Sequence, residues 1–299
     1  MSRELFIKKY KVPEAAKPYL SLIFTEQEMD FAEQMESDTF TAEQVAELAG
    51  SSAAETFYKR GIISFTDNSR TKYCLGDFYT RLDLFALGEQ EVYRSIPKEG
   101  QQALDAWYLD AFQKRLDPDC SKRPTADEVV TLEETLEFIE QQGDKEVYLL
   151  DCDCKSLSGA CNLPKHVCIS YRTGVNLTTD RGIGEKIDKE KAKEVVRMAD
   201  EAGLMHTING EGICNCCGDC CYLFRTMKQR QSTGLWPKSN HRIAWEAETC
   251  VQCESCLERC HFQVLRMEEG EMQIAHEQCV GCGICVSACP VDALHLIPR

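Results

Sequence analysis

Long hydrophobic runs are missing from this chain of 299 residues. Its apolar stretches stop after a few positions, as at Tyr19 to Phe24, well short of the roughly 18 consecutive apolar residues that a membrane-crossing helix needs. Residues Met1 to Leu20 interleave Arg3, Lys8, Lys9 and Lys11 with short apolar pieces and lack the apolar centre of a secretory signal. With neither a membrane span nor export expected, the reading is a cytoplasmic protein, in a compartment where thiols stay reduced. Positive charge is also short: 34 lysines and arginines face 49 aspartates and glutamates, for a formal net charge of −15. A field of that sign repels nucleic-acid phosphate and anionic membrane, and suits a protein partner with a basic docking face. Cysteine is scarce in the first 125 residues, which hold only Cys74 and Cys120.

Every other one of the 19 cysteines lies beyond residue 150, and the last eight recur with a rhythm. Cys250, Cys253, Cys256 and Cys260 read C-x2-C-x2-C-x3-C, and so do Cys279, Cys282, Cys285 and Cys289, the last followed by Pro290. This is the run by which two-cluster ferredoxins hold a pair of [4Fe-4S] cubanes, three thiolates of a run closing on one cluster and the fourth reaching the other. The assignment is therefore Cys250, Cys253, Cys256 and Cys289 to one cubane, and Cys279, Cys282, Cys285 and Cys260 to its twin. Gly281 and Gly283 let backbone N–H groups approach the sulfurs. Structural zinc normally takes two separated C-x2-C pairs, which eight cysteines in two triple-stepped runs would overfill. A disulfide framework does not suit a reducing compartment. One departure stands out: Pro290 follows Cys289, but His261 follows Cys260, a change able to tune a potential without removing a ligand. Between the runs, Val264–Met267 and Met272–Ile274 flank a turn at Gly270 and predict a hairpin, with Ala293 to Ile297 as a companion strand.

Nine more cysteines fall in two groups, Cys152, Cys154, Cys161 and Cys168, then Cys214, Cys216, Cys217, Cys220 and Cys221. Structural thiols do not come this dense. A charged helix predicted over Asp188 to Ala202 separates the groups, so that a strand, helix and loop bring them into one composite metal site. One cubane would use four of these thiolates and two would use eight; a zinc or thiol-only site is the alternative. His166 and His206 could replace a thiolate but read more simply as hydrogen-bonding neighbours. Lys165, Arg172 and Arg225 could neutralise an anionic substrate, although solvated or compensating charge is the ordinary account.

The region before the cysteines predicts helices. Thr41 caps Ala42–Ala49, which Gly50 stops; Ser51 or Ser52 caps a second helix over Ala53 to Arg60, which Gly61 stops. Ile62–Thr66 and Thr71–Leu75 then predict a hairpin turning at Asp67 to Ser69. Helix, helix and two-stranded wing resemble a winged-helix module. Across Thr41 to Leu75 the acids Glu43, Glu47, Glu55 and Asp67 balance Lys59, Arg60, Arg70 and Lys72, too little net cation for a DNA reader. Helices are predicted over Phe78–Leu87, Gly100–Leu116 and Leu132–Gln142, and a strand over Glu146–Leu150. The fold class is α+β in three domains: a helical winged-helix-like domain (1–125), a cysteine-rich α/β domain (126–240) and a two-cluster ferredoxin domain (241–299).

Taken together, the winged-helix-like front, Asp151-Cys152-Asp153-Cys154 with Cys161 and Cys168, Leu204-Met205-His206, the Ile213 to Cys221 motif and the ferredoxin tail resemble a family of 4Fe-4S binding proteins of anaerobes. That resemblance implies iron–sulfur clusters and redox work without naming a substrate. Cys216-Cys217-Gly218 is similar to the CCG motif of heterodisulfide-reductase subunits over three residues. Three functions compete. The first is an electron-transfer protein or subunit serving an oxidoreductase, with two tail clusters and one or two more in the central block. The second is a reductase with a catalytic cluster in that block, and the third a redox-sensing DNA-binding regulator.

Overall fold

The computed structural model describes residues 3–116 and 124–299. Cys120, with most of the polar link expected from Asp117 to Pro124, lies outside the described residues. The chain forms two compact units. One holds the chain up to Ala111 with Ser156–Ser158 and Arg172–Gly184, the other Phe112–Lys155, Gly159–Tyr171 and Glu185–Arg299.

The first unit is helical: α1 (Glu4–Tyr10), a 3₁₀ turn (Glu14–Tyr19), α2 (Leu20–Ile23), α3 (Glu26–Gln34), α4 (Ala42–Ala49) and α5 (Ala53–Lys59). A hairpin of β1 (Ile63–Phe65) and β2 (Tyr73–Leu75) follows, then α6 (Phe78–Gly88), α7 (Gln90–Ser95) and α8 (Lys98–Lys114), the last ending in the second unit. Two starts are capping boxes, Thr25 with Glu28 and Thr41 with Gln44, in which side chain and backbone satisfy each other's donors. Gly50, at φ +91°, stops α4 as expected. Ser52 precedes α5, but its side chain makes no capping bond, so that start rests on packing. Phe6, Phe24, Phe31, Phe40, Phe57, Phe78 and Phe85 fill the core. The segment Arg172–Gly184 is part of this unit. Its buried Arg181 donates to the Ile63 carbonyl at 3.1 Å and the Ser64 hydroxyl at 2.8 Å, and Asn176 pairs both ways with the Phe65 backbone at 2.9 Å.

The second unit is built on a seven-stranded sheet. Its strands are β3 (Glu128–Val130), β4 (Val147–Asp151), β5 (His166–Ser170), β6 (Glu185–Ile187), β7 (Met205–Ile208), β8 (Gly212–Cys216) and β9 (Lys238–Ser239), in the order β6-β4-β5-β8-β7-β3-β9. All neighbours are antiparallel except β3 and β9. Two amphipathic helices, α9 (Leu132–Gln141) and α11 (Lys189–Glu201), pack on it; α10 (Asp153–Ser158) lies between them in the chain. Ala192, Val195, Val196 and Ala199 repeat at helical spacing along α11 and meet Val147, Leu149, Val167, Ile169 and Ile213. Because strand side chains alternate, the neighbours of those inward residues, Cys168, Cys214 and Cys216, face the other way. The rest comprises α12 (Tyr222–Arg230), β10 (His241–Trp245), α13 (Ser255–Arg259), the hairpin β11 (Leu265–Glu268) and β12 (Glu271–Ile274), α14 (Ile284–Ser287) and β13 (Leu294–Pro298). Glu269 and Gly270, both at positive φ, turn that hairpin. The companion strand forms as β13, and its partner is β10, which the sequence reading missed.

Candidate metal centres

The two tail runs sort their thiols into two cavities. Cys250, Cys253, Cys256 and Cys289 line one, with about 330 Å³ of atom-free space, walled by Trp245, Met267, Met272 and Leu294. Cys260, Cys279, Cys282 and Cys285 line the other, about 390 Å³, walled by Ile243, Phe262, Val264 and Ile284. The fourth cysteine of each run thus lines the cavity of the other run. Each loop bends onto its own sulfurs: N–H groups of Gln252, Val264 and Ala293 donate to Cys250, Cys260 and Cys289 at 3.4, 3.5 and 3.2 Å. Gly281 sits at φ +66°, and a Cβ there would lie 2.2 Å from the His241 carbonyl oxygen, so strand and loop touch backbone to backbone.

Burial pushes the Cys282 thiol up to about 12 and raises Cys285 and Cys256, because an uncompensated thiolate is costly in an apolar wall. A ligated cation removes that cost. Four thiols around an apolar-walled cavity, with N–H donors on the sulfurs, fit an iron–sulfur cubane.

The central cysteines also come together. Cys152 lies against Cys154 and Cys168, Cys154 against Cys221, Cys168 against Cys214, and Cys216 against Cys214 and Cys221, closing a ring of six. Cys221 donates to Cys216 at 3.5 Å. Cys161, Cys217 and Cys220 form a second group, with sulfurs within 4.8 Å of one another. The motif from Ile213 to Cys221 spans a strand, a loop and the start of a helix. Cys214 and Cys216 share a strand face, Cys217 and Cys220 lie in the following loop, and Cys221 opens α12. Thiol contacts with Cys154 and Cys216 bring Cys221 down to about 6, and a thiol contact with Cys220 brings Cys217 down to about 5.

One further residue belongs here. Lys155 is buried and donates to the Asn215 carbonyl at 2.7 Å. Burial lowers its pKa, but the thiolates of Cys152, Cys216, Cys168 and Cys217 outweigh that and hold it charged. Nothing in the sequence separates this lysine from a solvated one; only the fold places it among sulfurs. Lys165 pairs instead with Asp151 at 3.2 Å, Arg225 stacks on Tyr222, and Arg172 belongs to the first unit. His166 meets Asp151 at 2.7 Å, and His206 meets Asn215 at 2.6 Å.

The second tail cavity adjoins the ring. Cys282 and Phe262 pack against the apolar cluster that contains Cys216, Cys221 and Phe224, and the rings of Phe224 and Phe262 meet edge to face at 5.4 Å. His261 explains its departure from proline: its Nε2 meets the Gly203 carbonyl at 2.8 Å, and its Cβ lies where Gly218 has no side chain. No described helix is long and apolar enough to cross a membrane.

Two four-thiol cavities, each completed by a cysteine of the other run, mark the tail as that of a 4Fe-4S protein. Residues 244–296 match the 4Fe-4S dicluster domain, and through that segment the chain belongs to this family. It is 35% identical over 66 residues to the pyruvate synthase subunit PorD of Methanocaldococcus jannaschii, covering 22% of this chain and 74% of that one. Over 68 residues it is 30% identical to the iron–sulfur subunit of formate dehydrogenase-O of Escherichia coli, covering 21% and 23%. Over 55 residues it is 34% identical to the electron transport protein HydN of the same organism, covering 18% and 31%. PorD apart, the chain spans less than two thirds of these relatives, and only 7% of an oxidoreductase from Synechocystis.

Proposed function

We propose that the chain relays single electrons between an oxidoreductase partner and its own central thiols. When bound, [4Fe-4S] groups in the two tail cavities supply one-electron storage with little change of shape. The chain's own part is to hold four thiolates around each cavity, wall the cavities with apolar side chains, and bridge the second cavity to the central ring through Phe262 and Phe224. That continuity of packed residues carries the reading. The six-thiol ring takes an additional cluster, and Lys155 offsets part of its negative charge. Relatives that are named as subunits of oxidoreductases support a protein partner. The acidic surface suits a basic docking face and a cytoplasmic setting.

We keep the three-domain division as part of this reading, with the front as a winged helix in a structural or protein-docking role. Three of the four cations of that module are engaged within the unit: Lys59 with Glu55, Arg60 with Glu28 and Glu89, Arg70 with Asp180. A reductase acting at the central thiols is the second reading, favoured by the separateness of Cys161, Cys217 and Cys220 and by the short Cys216-Cys217-Gly218 likeness. Anaerobic purification with iron and sulfide counted per chain tests the relay. About twelve irons fit tail and ring together, about eight fit the tail alone, and iron-free protein sinks the reading.

A further inference from the structure

The nine central cysteines do not form one site. Six close a ring on the sheet face opposite α11, where Cys216 and Cys221 pack with Met205 and Phe224. The other three pack into the helix-side core with Leu204 and Ala199. The chain changes sides between Cys216 and Cys217, adjacent residues whose side chains join different apolar clusters.

Each group holds one tight trio of ligand atoms, and in the ring it is Cys152, Asp153 and Cys154, only two of them thiols. The sulfurs of Cys161, Cys217 and Cys220 all lie within 4.8 Å of one another. A tetrahedral ion with metal–sulfur bonds of about 2.3 Å sets its thiolates about 3.8 Å apart, so this trio needs little movement to close on a single ion. Among the described residues no three tail thiols come that close, as expected of thiols placed around a larger body. The trio has no fourth cysteine, histidine or carboxylate within the same span among the described residues. Closed structural zinc sites use four protein ligands, whereas three leave a position for an outside donor. Cys161 is half-exposed while Cys217 and Cys220 are buried, which puts the access on the Cys161 side. The Cys220 N–H donates to the Cys217 sulfur at 3.3 Å, fixing that loop around its ligand atom.

We propose that Cys161, Cys217 and Cys220 bind one divalent ion of the zinc type as a three-thiolate centre, open at its fourth position to a small thiol. At rest the position holds water. An entering thiol releases its proton to solvent, binds as thiolate and displaces that water, with no change of oxidation state. This deepens the second reading above by giving its reaction site a metal and a ligand class, and it rests on the central thiols being metal ligands.

The test uses the full chain purified without oxygen, with zinc and iron counted together. About one zinc is expected beside the iron. Cys161→Ser should lower zinc at least tenfold and leave iron unchanged; because iron reports the tail and ring, its retention also shows that the variant folds. Zinc X-ray absorption of the unaltered protein should show three sulfurs and one light atom, becoming four sulfurs when 2-mercaptoethanol is added. The proposal is overturned if Cys161→Ser removes about four irons instead, if four sulfurs are present at rest, or if peptide mapping finds Cys217 and Cys220 joined as a disulfide. A full iron count without zinc would sink this centre and leave the relay standing; iron-free protein would sink the relay.

Discussion

Cys289 and Cys260 carry the most specific claim about single residues, since each is placed with the opposite run. Electron paramagnetic resonance of the reduced protein should therefore lose the same signal in Cys289→Ala as in Cys253→Ala. A second, different signal should vanish in both Cys260→Ala and Cys282→Ala. If Cys289→Ala instead matched Cys282→Ala, the crossing would be wrong. Gly281→Ala makes a separate prediction. At φ +66°, with its Cβ 2.2 Å from a backbone oxygen, it should cost about 2 kcal/mol or more, read as a lower melting temperature and faster loss of iron. The tail thiols were legible because a ferredoxin run writes its geometry into local spacing. Lys155 was not, because burial of a lysine among sulfurs is decided by strands far apart in sequence. His261 showed up as a departure, but its contact with Gly218 depends on a fold that joins residues 43 positions apart.

In the central motif, β8 places Cys214 and Cys216 two residues apart on one face, with Ile213 and Asn215 on the other. The helix at Ala42 was legible from its Thr cap, and α11 from its run of charged residues. The Arg172–Gly184 segment was not, having few regular elements to announce it. Its Asp180 bonds to Tyr58 and Arg70. Burial raises the carboxyl, but those bonds prevail and hold it below the ordinary value. A depressed folded-state value gives stability that is present above the unfolded pKa of about 3.9 and is lost as pH falls through the lower folded value. Asp180→Asn should then destabilise the first unit by up to about 1 kcal/mol at pH 7, given the exposure of Arg70, with the difference shrinking below about pH 4. Thermal unfolding of both proteins across pH 3–7 measures it, and a constant difference would remove Asp180 from the account.

For the molecule as a whole, the net charge of −15 governs encounter. The rate of reduction by a basic partner should fall at least several-fold as salt rises from about 0.05 to 0.5 M, since the screening length shrinks through about 10 Å at 0.1 M. Stopped-flow absorbance records that rate, and a flat salt profile would argue against an electrostatically guided partner. Labelled duplex DNA should show no retardation at low salt. The division into units has a practical outcome. Because Ser156–Ser158 and Arg172–Gly184 return to the first unit, the polypeptide passes between the units repeatedly. A truncation beginning near residue 126 would strip Arg181 of its acceptors on Ile63 and Ser64 and leave a guanidinium stranded. Anyone wishing to crystallise the sulfur-rich half alone should excise that excursion and splice in a short glycine bridge from Tyr171 to Glu185.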